Sequence, residues 1–171
     1  MAEPNTIYKM TVLTMLDKVD FPLSNSQISN FFLDHDYTDY FTIQKMIHGL
    51  VDSELIRPES THKNTQYYIT PQGRETLKFF GDKITPAIAK DLTAYLEQNQ
   101  LEMKNENSVT ADFYRTTVPG FDVRCQLKEK NIPMIDLTIH AHTKAQAETI
   151  CKNWQEQNME IYAYLMDMLI Q

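Results

Sequence analysis

The chain of 171 residues has little glycine and little cysteine, with four and two of these residues. So few glycines leave no glycine-rich loop that could hold phosphate groups. The sequence also contains no CxxC pair, no HExxH motif and no serine in a nucleophile-elbow context, which removes the usual signatures of zinc sites and serine hydrolases. We therefore expect a protein that is not an enzyme and that carries no metal and no cofactor.

Long apolar segments are also missing. The most apolar run near a terminus, Ile161 to Ile170, is interrupted by Asp167 and is too short to span a bilayer. Residues 1–5 lack the basic stretch and following apolar stretch of a signal peptide. The sequence therefore predicts a cytoplasmic protein without a membrane partner, in which Cys125 and Cys151 are buried apolar side chains and do not form a disulfide.

Two amphipathic helices are predicted at the start of the chain. The first has Asn5 or Thr6 as its N-cap. The second begins with a capping box, because the Ser24 hydroxyl can accept from the Gln27 amide while the Gln27 side chain reaches back to the Ser24 amide. Their apolar positions, spaced by three and four residues, are Ile7, Met10, Leu13 and Met15 or Leu16 in the first helix and Ile28, Phe31 and Phe32 in the second.

A third helix is predicted after a short polar turn, with Thr38 as its cap. Phe41 has two interpretations, since it can lie outward or close the core between the second and third helices. Glu54 follows the helix at a position where glycine is common, which predicts a slightly strained backbone. The inward positions are Ile43, Met46 or Ile47, Leu50 and Val51, and the outward positions are Tyr40, Phe41, Gln44, Lys45 and His48.

A two-stranded hairpin and a fourth helix come next. The segments 55–57 and 66–69 are short and rich in β-branched or aromatic residues, and the polar residues 59–65 between them predict the tip of a hairpin. Thr70 followed by Pro71 predicts a capped helix with proline at its first position, and Gly81 is expected to close that helix.

Three helices followed by a hairpin are typical of a winged helix-turn-helix, in which the third helix and the hairpin tip dock on duplex DNA. The signature Tyr68-x-Thr70-x-x-Gly73-Arg74 resembles that of the bacterial winged-helix regulators of the PadR and MarR type. The whole chain resembles a related family of small winged-helix proteins with no assigned function, well in its first half and in outline in its second. The resemblance implies a transcriptional regulator that binds double-stranded DNA. Its DNA contacts would then be Tyr40, Gln44, Lys45 and His48 of the third helix and His62, Lys63 and Asn64 of the hairpin tip.

The charge of the chain departs from the pattern of that family. Sixteen Lys and Arg residues face 23 Asp and Glu residues, which gives a net charge of −7. Basic groups supply much of the affinity for DNA by displacing counterions, so this deficit predicts weak or strongly salt-dependent binding. An alternative function therefore stays open, namely an acidic winged helix that docks on a partner protein.

The second half is predicted to hold a connector helix and a small α+β domain. The connector runs from Pro86 to about Met103, and residues 104–108 read as a linker. Three antiparallel strands follow, and a long helix capped by Thr143 closes the domain. The alternating apolar residues are Phe121, Val123, Cys125 and Leu127 in the second strand and Ile135, Leu137 and Ile139 in the third.

A metal site could be assembled from His140, His142, Cys125 and Cys151. However, alternation places His140 on the solvated face of the third strand and Cys125 on the buried face of the second. Residues on opposite faces cannot share one tetrahedral site, so the pattern predicts no metal.

The closing helix carries an apolar seam that continues past the part expected to cover the sheet. The later positions, Ile161, Leu165 and Met168, predict a homodimer interface, with packing on the connector helix as the alternative. The sequence thus predicts an α+β protein with a winged-helix DNA-binding domain over 1–81, a connector helix over 82–104 and a domain over 105–171. That last domain would serve dimerisation or the sensing of an unidentified small-molecule effector.

Overall fold

A computed structural model describes residues 3–60, 65–130 and 132–171. These residues form six α-helices and two three-stranded antiparallel sheets, which confirms the predicted α+β class. The chain divides into two compact units, unit 1 over Met1–Lys104 and unit 2 over Asn105–Gln171. The elements are α1 (Pro4–Lys18), β1 (Leu23–Ser24), α2 (Asn25–Asp34), α3 (Tyr40–Asp52), β2 (Ile56–Ser60), β3 (Thr65–Ile69), α4 (Pro71–Phe80), a 3-10 turn (Gly81–Lys83), α5 (Pro86–Ser108), β4 (Val109–Arg115), β5 (Phe121–Glu129), β6 (Ile132–Ala141) and α6 (Lys144–Leu169).

Local signals set the starts of the first two helices. Helix α1 begins at Pro4, so the predicted N-caps Asn5 and Thr6 already lie inside it. Proline suits the first helical position because its missing N–H would have no partner there. Helix α2 has the predicted capping box: the Ser24 hydroxyl accepts from the Gln27 N–H over 3.2 Å, and Gln27 Oε1 accepts from the Ser24 N–H over 2.9 Å.

Helix α3 is capped by Asp39, and the prediction of Thr38 is wrong by one residue. The Asp39 carboxylate accepts from the Thr42 N–H over 2.7 Å and stands at the positive end of the helix dipole. Glu54 has a φ of 59°, which confirms the strained exit from this helix. The three helices enclose an apolar core. Its fully buried side chains include Leu13, Met15, Ile28, Phe31, Phe32, Ile43, Met46, Ile47 and Leu50.

The predicted hairpin is formed by β2 and β3, and β1 adds a third strand that no pattern in the sequence predicts. The sheet order is β1-β3-β2. Strand β2 extends to Ser60 and β3 begins at Thr65, so the predicted tip over 59–65 is too long. The rest of the tip, with the predicted contacts His62, Lys63 and Asn64, lies outside the described residues.

Thr70 joins the hairpin both to α4 and to the turn after α3. Its hydroxyl donates toward the carbonyl oxygens of Glu54 and Leu55, over 2.7 and 3.0 Å. The same oxygen accepts from the Gly73 N–H over 3.0 Å, as expected of the predicted N-cap. A Cβ on Gly73 would lie 2.1 Å from the Leu55 carbonyl oxygen, so this close approach of two backbones requires glycine.

Helix α5 continues through the stretch predicted as a linker and ends at Ser108. Residues 104–108 contain neither glycine nor proline, so nothing in them breaks a helix. Within unit 1, the Tyr95 hydroxyl donates to the Gln27 carbonyl over 3.3 Å, and the Tyr37 hydroxyl donates to Asp91. Helix α5 thus completes the core of unit 1 with four buried side chains, Ile88, Leu92, Leu96 and Met103.

The sheet of unit 2 has the order β4-β5-β6. The predicted alternation in β5 is confirmed, with Val123, Cys125 and Leu127 buried. On β6 the alternation predicts a buried row of Ile135, Leu137 and Ile139, but the first two are half-buried and Ile139 is 45% exposed, so the prediction of its burial is wrong. The reason is the position of α6, which packs mainly over β4 and β5 and leaves the apolar row of β6 partly uncovered.

Helix α6 closes unit 2 as predicted. Thr143 caps it by accepting from the Gln146 N–H over 3.1 Å. Trp154 is buried against the sheet, and its Nε1 donates to the Gln126 carbonyl over 3.1 Å. Asn158 interrupts the apolar seam but is buried, and its Nδ2 donates to the Trp154 carbonyl over 3.0 Å. The amide group is therefore satisfied inside an apolar surface.

Candidate functional site

Helix α3 buries one side and leaves an exposed row of Phe41, Lys45 and His48, which we call the α3 stripe. These residues are four and three positions apart, a spacing that puts side chains on one helical face. Tyr40 lies beside the stripe, 53% exposed, with its ring edge-on to Phe41 at a centroid distance of 6.5 Å. Four of the five side chains expected to point outward therefore do so.

Gln44, the fifth of these residues, is half-buried and bonded to α2. Gln44 Nε2 donates to Asn25 Oδ1 over 2.8 Å, and Asn25 Nδ2 donates back to Gln44 Oε1 over 2.8 Å. A further hydrogen bond of 3.3 Å runs from Gln44 Nε2 to the Ser29 hydroxyl. Both ends of the Gln44 amide are thus engaged within the protein, so this side chain positions α3 against α2.

The charge along the α3 stripe is nearly balanced. Lys45 provides a cation in the middle of the helix. At the start of the helix, the hydrogen bond from the Thr42 backbone N–H lowers the pKa of Asp39, so this carboxylate is ionised at neutral pH. The stripe is therefore aromatic at its first turn and weakly cationic further along. Such a surface can bind apolar groups that lie next to phosphates, or an apolar pocket on another protein.

The hairpin carries an exposed cation, Arg57, that is not among the predicted DNA contacts. Arg57 on β2 lies directly opposite Tyr68 on β3, and its Cζ lies 4.8 Å from the centre of the Tyr68 ring. Stacking on a ring holds a guanidinium in place while it stays charged, so Arg57 is suited to binding phosphate. The signal in the sequence is its position after the buried Ile56, since alternate residues of a strand face opposite sides.

In unit 2, His140 lies on the sheet face opposite Cys125, as predicted. His140 Nδ1 lies 2.9 Å from Asp122 Oδ1, and Nε2 lies 3.0 Å from the Pro119 carbonyl oxygen. The hydrogen bond to Asp122 raises the pKa of His140. Burial, together with the nearby Cys151, raises the pKa of Cys125 to about 11. No disulfide joins the two cysteines, both of which the structure describes, and the described residues contain no group of three or more potential metal ligands.

The predicted dimerisation residues lie on the second half of α6. Ile161 and Leu165 are half-buried, and Ile161 packs against the core of unit 2, so that core reaches further along α6 than predicted. Met168 is 55% exposed. Further large apolar side chains are exposed on this half at Met159, Tyr164, Met166 and Leu169, and at Ile170 directly after the helix. Within the described part of the chain, no helix combines the length and apolarity needed to cross a membrane.

Residues 8–169 match the family described as a domain of unknown function, DUF4364. The match includes α2, α3, the hairpin and the whole of α6, and the chain therefore belongs to this family. No curated protein and no solved structure matches the chain. The description of the family names no activity.

Proposed function

We propose that the chain is a sequence-specific DNA-binding transcriptional regulator that acts as a homodimer. In this proposal α2 and α3 form a helix-turn-helix, β2 and β3 form the wing of a winged helix, and α3 enters the major groove. The observation that carries the proposal is the α3 stripe: the third helix, followed directly by a hairpin, exposes Phe41, Lys45 and His48 on one face.

The way in which α3 is held supports this role. Its apolar side is buried, its first turn is capped by Asp39, and Gln44 ties it to Asn25 of α2. A helix fixed in these ways presents its outer side chains at a constant orientation, which reading of base edges requires. Because Gln44 is half-buried and bonded to α2, we do not include it among the proposed base contacts. Its role in this proposal is to hold α3 in position against α2.

Few cations are available for the DNA backbone. Lys45 on α3 and Arg57 on the hairpin are exposed, and the sequence adds Lys63 in the hairpin tip. Each such contact releases about one counterion from the duplex. Because the whole chain has a net charge of −7, repulsion acts against these contacts, and binding should weaken steeply with added salt.

The second half of α6 is the proposed dimer interface. It presents Leu165, Met168 and their exposed apolar neighbours beyond the core of unit 2. Exposed apolar patches of this kind mark interaction surfaces in many proteins. A two-fold dimer would present two α3 helices to two half-sites of an operator.

The net charge of −7 favours a second candidate function, docking on a partner protein. The α3 stripe begins at the exposed Phe41, next to the exposed Tyr40 and the ionised Asp39, and α4 exposes Phe79 and Phe80. Aromatic side chains are the usual anchors of protein interfaces, and acidic surroundings oppose DNA. The alternative proposal is therefore a winged helix that docks on a partner protein.

Binding to a library of random-sequence duplexes tests the two proposals. We expect the wild-type protein to retain duplexes at about 50 mM salt and to release most of them at about 200 mM. A Lys45→Glu/Lys63→Glu variant should lose this binding. Absence of any binding at the lower salt would favour the protein-docking function instead.

A matched control uses two exposed lysines of α6. The Lys144→Glu/Lys152→Glu variant changes the net charge by the same amount but leaves the α3 stripe and the hairpin intact. It should bind DNA almost as well as wild type. Equal losses in both variants would mean that general repulsion governs binding, and unchanged binding by the first variant would contradict the docking face.

A further inference from the structure

The exposed Phe41 is the feature of α3 that packing does not explain. Its side chain is 79% exposed at the second residue of the helix. The interpretation in which Phe41 closes the core between α2 and α3 is therefore wrong. Phe31 of α2 and Ile43 and Ile47 of α3 are instead the residues buried in the core. Exposing a large aromatic ring is unfavourable, so a ligand that covers it gains binding energy.

Phe41 lies where a recognition helix meets the bases. In helix-turn-helix proteins, the first residues of the recognition helix contact base edges in the major groove. Tyr40 and Phe41 occupy the first turn of α3, and Lys45 follows one turn later with a charge that can meet a phosphate or a guanine. This step rests on the proposed DNA-binding function.

A phenylalanine ring is apolar, and this limits which groups it can contact in the major groove. A phenyl ring has no hydrogen-bond donor or acceptor, so it cannot read the polar edges of guanine, adenine or cytosine. The C5-methyl group of thymine is the apolar group on a base edge in that groove, and phenylalanine is one of the side chains that contact it. From the exposure and position of Phe41, we infer that it reads a thymine methyl group in each half-site of the bound duplex.

Replacing thymine by deoxyuridine tests this inference directly, because it removes the methyl group and keeps the base-pairing groups. The probes are duplexes selected by the wild-type protein from a random library, synthesised with deoxyuridine at one thymine position at a time. At the contacted position, affinity should fall about fourfold, which corresponds to the burial of one methyl group. At other thymine positions it should not change.

The Phe41→Ala variant should bind the thymidine and deoxyuridine duplexes with equal affinity. It should fold normally, because the ring is exposed. The matched control is Phe79→Ala, which removes a ring that is 71% exposed on α4 and should keep the fourfold discrimination.

The outcomes separate this inference from the proposed function. If the wild type binds duplexes but deoxyuridine has no effect at any position, the inference is overturned and Phe41 is left to a protein partner. Discrimination that persists in Phe41→Ala overturns it as well. If the wild type binds no duplex at low salt, the DNA-binding function itself fails together with the inference.

Discussion

Gln44 of α3 and Asn25 of α2 exchange two hydrogen bonds of 2.8 Å, so each amide group is both donor and acceptor to the other. The pair fixes the rotation of α3 about its own axis relative to α2. Which residues of α3 face outward is therefore decided both by the buried apolar side and by this polar contact.

The first prediction is that the contribution of Gln44 is structural. Because Gln44→Ala removes three hydrogen bonds, two with Asn25 and one to the Ser29 hydroxyl, it should lower the free energy of unfolding by about 2–3 kcal/mol. In a double-mutant cycle with Asn25→Ala, the coupling energy should be about 1–2 kcal/mol. Urea unfolding followed by circular dichroism measures both values. Lys45→Ala, at the exposed next residue, is the control and should change stability by less than about 0.5 kcal/mol.

The second prediction concerns the close approach at Gly73. A Cβ there would lie 2.1 Å from the Leu55 carbonyl oxygen, so Gly73→Ala should destabilise the protein by about 3 kcal/mol. At Gly81 a Cβ would meet only the Leu77 side chain at 3.4 Å, and the φ of −63° suits alanine. Gly81→Ala should therefore be neutral or slightly stabilising. Equal thermal stability of the two variants would contradict this account of Gly73.

The third prediction is a pH dependence of unit 2. Because the pKa of His140 is raised in the folded protein, its contact with Asp122 stabilises the fold fully below about pH 6.5. This contribution is lost as the pH rises through the raised folded-state pKa. Fluorescence of the single tryptophan, Trp154, reports the unfolding of unit 2.

In that experiment, the unfolding temperature of the wild type should drop more between pH 5.5 and pH 8 than that of His140→Gln. The control variant His142→Gln leaves the contact between His140 and Asp122 in place and should behave like wild type. Identical pH profiles for wild type and His140→Gln would show that this contact does not contribute.

The fourth prediction concerns cysteine reactivity. The thiolate is the reactive form, and burial together with the nearby Cys151 raises the pKa of Cys125 from 9.0 to about 11. In a Cys151→Ser variant at pH 8, where burial alone raises the pKa, Cys125 should react with a thiol reagent at least about tenfold more slowly when folded than in urea. The Cys125→Ser variant, which keeps the half-buried Cys151, should react faster. Rapid labelling of Cys125 in the folded protein would falsify its burial.

The fifth prediction is that α6 makes the dimer. A Leu165→Glu/Met168→Glu variant should sediment as a folded monomer and bind DNA more weakly, because a single half-site loses the gain from linked binding. Leu165 is half-buried, so Met168→Glu/Leu169→Glu serves as a second variant at two exposed positions.

Asn153→Glu/Gln157→Glu is the matched control for these variants. It adds the same charge to exposed polar positions of α6 and should remain a dimer. A dimer that survives both apolar substitutions would place the interface elsewhere on the chain, and a monomeric wild type would contradict the prediction altogether.

Structural features that depend on only a few neighbouring residues, such as helix caps, could be predicted from the sequence. The capping box of Ser24 and Gln27 and the N-cap Thr70 both depend on side chains that reach their own helix, and both are present. The cap of α3 shows the limit of such signals. Thr38 and Asp39 can each cap a helix, and the geometry of the preceding turn decides between them.

Contacts between elements could not be predicted in the same way. Gln44 occupies an outward position by periodicity, but its bond to Asn25 depends on how closely α2 and α3 approach. Alternation puts Ile139 on the correct face of β6, yet it contains no information on how far α6 extends across the sheet. Strand β1 has only two residues, and its pairing with β3 arises from the tertiary fold.

Ser24 belongs to two structures at once, since it pairs with Gln66 of β3 and caps α2. The next residue, Asn25, carries the bonds to Gln44. Two consecutive residues at the start of α2 therefore hold hydrogen bonds to the hairpin and to α3. The hairpin and α3 are thus held in a fixed orientation relative to each other. Aligning them costs little conformational entropy when a ligand spans both of them. The hairpin and α3 therefore form one preorganised surface.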